Sequence, residues 1–201
     1  NSKADVIKFQ VYNPENLVNR NIDVDRFNHF KRFTLKPHEH IELARKCLSN
    51  NKIYLASVWD TDSIQWIDDF TKYYKIGSGD LTAYQIIDGL TKTKKPLILS
   101  TGLSNYNQIG RTIKFIQSKD PVYKKTEMIA LLQCTSNYPN PENEANLGVI
   151  KDFKDRFPFS VGYSDHTKDL NALVLAATLG AEILEFHFTD SKKNKRFRDH
   201  A

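Results

Sequence analysis

Phe159-Ser-Val-Gly-Tyr-Ser-Asp-His-Thr167 decides the fold of this chain, together with Glu182-Ile-Leu-Glu-Phe-His-Phe-Thr189, which follows it after one helical pattern. Each stretch is a short run of β-prone apolar residues that ends in a histidine with hydroxyl residues beside it. The pair predicts two successive strands whose ends carry His166 and His187. Two neutral imidazoles in this arrangement can hold a metal ion, although such a pair can also be purely structural.

The same alternation of strand and helix extends outward from these two stretches. Seven strands are predicted, over Ala4–Val11, Lys52–Ser57, Tyr73–Gly77, Pro96–Ser100, Met128–Cys134, Phe159–Tyr163 and Ile183–Phe188. Helical patterns fill most connections, over Pro37–Leu48, Asp60–Phe70, residues 82–92, Asn105–Gln117, residues 142–156 and Leu170–Leu179. Residues 12–36 are polar and irregular and predict a long loop. Several strands are apolar on both faces, which is typical of a parallel sheet covered by helices.

Such a sheet can be an open doubly wound sheet or a TIM barrel. The positions of the polar residues distinguish between these two folds. A Gly-x-Gly-x-x-Gly turn after the first strand is absent, which argues against a dinucleotide-binding open sheet. Polar side chains stand instead at or just beyond the carboxyl ends of successive strands, at Lys8, Ser57, Lys75, Ser78, Ser100, Thr101, Asn137, Ser164, His166 and His187. In a TIM barrel these ends meet at one mouth, where active sites are built. We therefore expect an α/β fold of the (β/α)8 barrel type.

The composition is that of a globular domain. With 201 residues, 40% of them hydrophobic, the chain can bury a core, and no linker divides residues 1–201. The net charge of +5 is dispersed apart from one basic cluster over Lys192–Arg198, so it favours small anions over nucleic acid.

Cys47 and Cys134 form no disulfide framework. The longest apolar run, Ala172–Leu184, is too short to span a membrane, and we expect a cytoplasmic protein.

Two lysines and several hydroxyls predict an anion pocket. Lys8 and Lys75 each stand in an apolar strand, where an ammonium is costly to bury unless an anion compensates it. A snorkelling or salt-bridged lysine is the alternative for each. Neutral donors at strand ends can bind phosphate oxygens, or they can cap the helices that follow.

Other assignments remain open from the residues alone. A desolvated lysine could form a Schiff base with a carbonyl substrate, as in an aldolase, although such an enzyme does not need the histidine pair. Asp165 and Glu185 could orient metal ligands or simply form capping hydrogen bonds. Cys134 has no histidine in a papain-like context, so a buried thiol is its expected role.

Six short segments carry a family pattern along nearly the whole chain. They are Lys8-Phe-Gln10, Tyr74-Lys-Ile-Gly-Ser-Gly-Asp-Leu81, Pro96-Leu-Ile-Leu-Ser-Thr-Gly102, Leu132-Gln-Cys-Thr-Ser-Asn-Tyr-Pro139, Val161-Gly-Tyr-Ser-Asp-His-Thr167 and Glu185-Phe-His-Phe-Thr189 with Asp199-His200. In order and spacing they resemble the sialic acid (N-acetylneuraminate) synthases and their legionaminate and pseudaminate relatives. The resemblance implies a TIM-barrel enzyme that condenses phosphoenolpyruvate with an N-acylated amino sugar, such as N-acetylmannosamine. The products would be a nine-carbon α-keto acid and phosphate.

The resemblance also implies roles for individual residues. His166 and His187 match the ligands of a divalent metal, manganese or magnesium, and with Lys75 and Asp80 they form the expected catalytic group. Asp80 is assigned to acid/base work. Phosphoenolpyruvate would be held by Lys8, Ser57, Lys75, Ser78, Ser100, Asn137 and Ser164. The sugar would lie near Gln10, Tyr138 and Asp199.

Some features depart from the family pattern. Relatives begin with a further strand and end with a small antifreeze-like domain, which lends an arginine to the partner's site in dimers. The resemblance therefore predicts a partial barrel, a homodimeric full-length parent, and the alternative of a truncated, inactive barrel that only binds anions. Ala56-Ser-Val-Trp-Asp60 stands where many relatives have Ser-Thr-Pro-Phe-Asp, and Phe186 stands for a common lysine, which leaves the acceptor sugar open.

Overall fold

Seven parallel strands form one sheet in the computed structural model, which describes residues 3–189, 191 and 193. The strands are β1 (Val6–Val11), β2 (Ile53–Val58), β3 (Tyr74–Ile76), β4 (Leu97–Ser100), β5 (Ile129–Cys134), β6 (Ser160–Asp165) and β7 (Ile183–Phe186). Their order in the sheet is their order in the chain, and every neighbouring pair is parallel. The parallel α/β architecture expected from the sequence is therefore confirmed.

Helices lie between consecutive strands. They are α1 (Pro14–Leu17), α2 (Val24–Phe33), α3 (Pro37–Ser49), α4 (Thr61–Ile67), α5 (Tyr84–Thr91), α6 (Tyr106–Lys119), α7 (Val149–Arg156) and α8 (Asn171–Thr178). The helix predicted over residues 142–156 is shorter than expected, because Glu142–Glu144 forms a separate 3-10 turn before α7. No helix within the described ranges is long and apolar enough to cross a membrane.

The prediction of an irregular loop over residues 12–36 was wrong, because this segment contains α1 and α2. The Asp23 side chain accepts a hydrogen bond from the Arg26 backbone N–H and so caps the start of α2. Phe27 is only 1% exposed and anchors the helix to the rest of the fold. Charged residues flank Phe27 in the sequence, and they hide the helical spacing of the apolar residues.

The hydrophobic core lies between the sheet and its helices. Strand residues that point toward the helices alternate with residues that point to the opposite, inner face. The core side chains of the strands include Tyr54, Ala56, Tyr74, Ile76, Leu97, Leu99, Leu131, Val161 and Tyr163. Those of the helices include Ile64, Ile67, Ile87, Leu90, Ile109, Ile113, Ile116, Ile150 and Phe153. Because one face of the sheet carries the core, polar residues can occupy the inner face.

The sheet is strongly curled. In a flat sheet, six strand spacings would place β1 and β7 about 29 Å apart. The Lys8 Nζ on β1 lies only 2.9 Å from the Glu185 Oε2 on β7. The seven strands therefore form most of a barrel wall, with β1 and β7 as the two edges of the described sheet.

Candidate active site

The register of the strands places the polar residues of β1, β2 and β3 on one face. Gln10 is the partner of Ser57, and Ser57 is the partner of Lys75. Partners in a parallel sheet point to the same side, as do residues two positions apart on one strand. Lys8 therefore shares the inner face with Gln10, Ser57 and Lys75.

The last strands contribute to the same inner face. Cys134 is the partner of Ser164, and Ser164 is the partner of Glu185. Ser100 pairs with Leu132, two positions before Cys134 on β5, so it also points inward. The curl of the sheet then brings both groups of residues around one interior.

Glu185 is the centre of this interior. Its Oε2 lies 2.9 Å from the Lys8 Nζ, and its Oε1 lies 3.7 Å from the Lys75 Nζ. The Ser164 hydroxyl donates to Oε1 at 2.7 Å. The Lys75 ammonium also donates to the Ser100 Oγ at 2.6 Å. Two cations, one carboxylate and two hydroxyls thus form a single connected cluster, which we call the lysine–glutamate cluster.

Burial and charge set the protonation of this cluster. Burial lowers the pKa of Lys75 to about 8, although the nearby Glu185 carboxylate acts in the opposite direction. Burial on its own raises the pKa of Glu185, but Lys75 and Lys8 outweigh it and bring the value to about 2. At neutral pH, Glu185 is therefore ionised between two ammonium groups.

A second group of donors surrounds Gly102, beyond the end of β4. The Gly102 backbone N–H donates to the Ser78 Oγ at 3.0 Å. A Cβ at position 102 would lie 2.4 Å from the Ser136 Oγ and 2.9 Å from the Ser78 Oγ, so only glycine fits between these hydroxyls. The Ser136 Oγ is buried and has no hydrogen-bond partner among the described residues. It is a donor that the site has available for a ligand.

The two predicted metal-ligand histidines lie together at the ends of β6 and β7. Their ring centroids are 5.5 Å apart, and the Tyr138 ring lies 4.0 Å from that of His166 and 6.1 Å from that of His187. The His166 Nδ1 lies 2.9 Å from the Thr135 carbonyl oxygen, which can only accept, so this nitrogen carries the proton. In the neutral ring the lone pair is then on Nε2. Burial lowers the pKa of His166 and so favours this neutral form.

No third His, Cys, Asp or Glu joins the imidazoles in a metal-binding group within the described part of the chain. The Asp165 carboxylate, one of the candidate orienters, accepts hydrogen bonds from the Thr167 backbone N–H, the Thr167 hydroxyl and the Tyr163 hydroxyl. Asp165 therefore has the capping role that the sequence left open. Glu185, the other candidate, contacts the lysines.

The remaining site residues are placed as follows. Ser57 is buried on the inner face, whereas Gln10 and Asn137 are exposed. Asp80 is half-buried in a 3-10 turn after β3, and burial raises its pKa while Lys75 lowers it. Asp199 lies outside the described residues.

Reasoning from the sequence missed the central place of Glu185 and the buried hydroxyl of Ser136. The signal for Glu185 was present, because a carboxylate inside an apolar strand is as costly to bury as the two lysines that were noticed. Ser136 has no comparable signal in its local sequence. Asn137 and Ser136 are adjacent, and only the folded loop shows which of them is buried.

Comparison with families of known proteins matches residues 1–201 to a family described as the NeuB family. Among curated proteins, the chain is 36% identical over 202 residues to an uncharacterized protein of Methanocaldococcus jannaschii, covering 98% of this chain and 57% of that protein. It is 32% identical over 215 residues to N,N'-diacetyllegionaminic acid synthase of Campylobacter jejuni, covering 99% of this chain and 62% of the enzyme.

A solved structure shares the fold closely. The N-acetylneuraminic acid (sialic acid) synthetase from Leptospira borgpetersenii superposes with a TM-score of 0.86 at 29% identity, covering 94% of this chain and 64% of that chain. The present chain therefore spans about three fifths of the length of the relatives it matches. Its curled parallel sheet corresponds to part of a TIM-like barrel.

Proposed function

Because the chain belongs to the NeuB family, we propose that it forms most of the barrel of an enzyme that condenses phosphoenolpyruvate with an N-acylated amino sugar. The products are a nine-carbon α-keto acid of the sialic acid type and inorganic phosphate. The names of the similar synthases supply this class of product.

One observation carries the proposal: the lysine–glutamate cluster on the inner face of the sheet. Phosphoenolpyruvate has a phosphate and a carboxylate, and Lys8 and Lys75 offer one ammonium group for each. Glu185 now bridges both ammonium groups, so the substrate competes with this carboxylate for them. The cluster carries two positive charges and one negative charge, which leaves one net positive charge to attract an anion.

Neutral donors complete the proposed phosphoenolpyruvate site. The family resemblance assigns Ser57, Ser78, Ser100, Asn137 and Ser164 to this substrate. Ser100 and Ser164 already contact the charged cluster, and Ser57 points to the same face. Ser78 lies beside the buried Ser136 hydroxyl, so we include Ser136 as a further donor.

We assign a divalent metal to His166 and His187, because their rings lie 5.5 Å apart and the lone pair of His166 is on Nε2. The imidazole pair favours manganese over magnesium, which prefers oxygen ligands. When bound, the cation supplies Lewis-acid polarisation of the sugar aldehyde. The exposed Tyr138 ring lies beside both imidazoles, so an acceptor sugar that reaches this end of the site meets the Tyr138 ring. Gln10 and Asp199 are the other residues assigned to the sugar.

The residues of the chain position the reacting groups. The methylene carbon of phosphoenolpyruvate attacks the aldehyde, water adds to the enol carbon, and phosphate leaves by carbon–oxygen cleavage. Lys8 and Lys75 hold the two acidic groups in place and stabilise the negative charge on the departing phosphate. Asp80 is assigned to proton transfer, because burial raises the pKa of its carboxyl toward the working pH.

Phosphoenolpyruvate labelled with oxygen-18 at the bridging position tests the proposal in the full-length protein. We expect phosphate that contains the label, released only when manganese and an N-acylated amino sugar are present. Lys75→Gln should abolish this release, whereas Lys151→Gln, which changes an exposed lysine on α7, should not. Absence of sugar-dependent phosphate release with every N-acylated amino sugar tested would refute the assignment.

A Schiff-base aldolase is the second candidate, and the lowered pKa of Lys75 favours it. An amine with a pKa of about 8 is partly unprotonated near neutrality and can attack a carbonyl. Borohydride reduction in the presence of a carbonyl substrate distinguishes the two. A covalent adduct on Lys75, with activity that survives a metal chelator, supports the aldolase.

A further inference from the structure

An aromatic cluster lies beside the proposed phosphoenolpyruvate site, at the ends of β1 and β2. The Trp59 ring stacks on Tyr12, with centroids 5.1 Å apart and planes 11° from parallel. Phe30 of α2 contacts both rings edge-on, at 6.1 Å from Trp59 and 5.5 Å from Tyr12. Three mutually packed rings leave the indole of Trp59 in one defined orientation.

Backbone and capping contacts anchor the same region. The Trp59 backbone N–H donates to the Val11 carbonyl at 3.0 Å, which continues the pairing of β1 and β2 past the last strand residues. The Asp60 Oδ2 accepts from the Asn13 backbone N–H at 2.7 Å. The position of the indole is therefore determined by both strands and by α2.

The indole N–H of Trp59 donates to the Ser57 Oγ at 3.2 Å. An indole can only donate, so the Ser57 oxygen acts as the acceptor in this contact. The Ser57 hydroxyl proton is then left to point away from Trp59. Ser57 lies on the inner face between Gln10 and Lys75, its partners on the neighbouring strands, so this is the side on which an anion would be bound.

We propose that Trp59 is a positioning residue, which orients the Ser57 hydroxyl as a donor to phosphoenolpyruvate. This inference rests on the proposed function of the site. Without the indole N–H, the Ser57 hydroxyl can rotate, and part of the binding free energy is lost in fixing it. Trp59 does not touch the substrate in this scheme and acts through Ser57.

Trp59→Phe tests the proposal because phenylalanine keeps an aromatic ring against Tyr12 but has no N–H to donate to Ser57. We expect the dissociation constant for phosphoenolpyruvate to rise about three- to tenfold. This ratio corresponds to the free energy that one hydrogen bond usually contributes. The turnover number at saturating substrate should change less than KM. Trp66→Phe is the matched control, since Trp66 on α4 packs against His40.

A double-mutant cycle with Ser57→Ala separates positioning from a merely structural role. Binding of phosphoenolpyruvate is measured calorimetrically on the full-length protein with manganese, and circular dichroism checks folding. If Trp59 acts through Ser57, Trp59→Phe has no further effect in the Ser57→Ala background. Additive effects, or an unchanged dissociation constant in Trp59→Phe, would overturn the inference.

Two further outcomes are distinguishable. Failure of the wild-type protein to bind phosphoenolpyruvate at all overturns the proposed function, and with it this inference. Binding by the wild type with additive effects in the cycle overturns the role of Trp59 alone. Trp59→Tyr provides a second aromatic variant without the indole N–H, and the same rise in the dissociation constant is expected from it.

Discussion

The Lys8 ammonium on the first strand of the sheet lies 2.9 Å from the Glu185 carboxylate on the last strand. The contact joins the two edges of the sheet through their side chains. It places a carboxylate where the proposed substrate presents its own acidic groups. The site of this protein is therefore a consequence of the curl of the sheet as much as of any single motif.

Glu185→Gln should destabilise the protein by about 3 kcal/mol, because Lys75 is almost fully buried and would lose its compensating charge. Glu182→Gln is the matched control: Glu182 is half exposed and lies 4.0 Å from Lys154, a pair expected to contribute less than about 1 kcal/mol. Urea denaturation of the full-length protein measures the loss of unfolding free energy in each variant. Equal losses of unfolding free energy in the two variants would contradict the central role of Glu185.

Affinity for phosphoenolpyruvate should fall as pH rises through about 8, because Lys75 then loses its positive charge. Lys75→Arg stays charged over this range, so its profile should be flat if the variant binds. Binding titrations between neutral and alkaline pH measure the effect. A wild-type profile as flat as that of the variant would rule out a contribution from Lys75 charge.

The lowered pKa of Lys75 also predicts that stability changes with pH in the direction opposite to the affinity for phosphoenolpyruvate. The folded-state pKa of Lys75, about 8, is below the ordinary value of 10.5, so between these values the unfolded chain binds more protons. The contribution of Lys75 to stability should therefore rise with pH across this window. Lys75→Met removes the titrating group and should remove this rise. Denaturation midpoints across the window, compared between the two proteins, provide the check.

His187→Ala should weaken manganese binding at least about tenfold, since it removes one of the two imidazoles assigned to the metal. His38→Ala changes an exposed histidine on α3 and should leave the affinity unchanged. Electron paramagnetic resonance of free manganese during a titration measures the manganese affinity of each variant. Identical manganese affinities in the wild type and His187→Ala would place the metal elsewhere.

Gly162→Ala should destabilise the fold by about 1–3 kcal/mol through overpacking. A Cβ there would lie 2.3 Å from the Ile183 carbonyl oxygen and 2.5 Å from the Leu132 side chain, so β6 could not keep its distance from β7. Gly110→Ala in α6 meets no atom within 4 Å and should stabilise the helix slightly. Thermal melts of the two variants should shift in opposite directions, and a Gly162→Ala protein as stable as the wild type would show that the strands can separate.

Much of the fold could be predicted because its signals are local. The β-prone runs that end near Ser164 and Glu185 correspond to strands, and the helical stripe of Ile109, Ile113 and Ile116 corresponds to a buried helix face. The family resemblance is confirmed by the match over residues 1–201. α2 was missed because its aromatic residues stand among charges, and its burial depends on contacts with residues far away in the sequence.

The roles assigned to individual site residues stay predictions, but the structure shows which of them can act together. Lys75, Ser100 and Ser164 meet at the lysine–glutamate cluster, whereas Gln10 and Asn137 are exposed. The sequence could not distinguish the clustered residues from the exposed ones, because a polar residue at a strand end has the same local sequence pattern whether it is buried or exposed.

The sequence by itself determined the seven strands, the helices after α2 and the residue types at the strand ends, because periodicity and propensity act over a few neighbouring residues. Only the tertiary structure decided that Glu185 lies between Lys8 and Lys75, and that Trp59 donates to Ser57. Such contacts depend on strand register and on the curl of the sheet. Both are properties of the packed chain, in which residues from opposite ends of the sequence become neighbours.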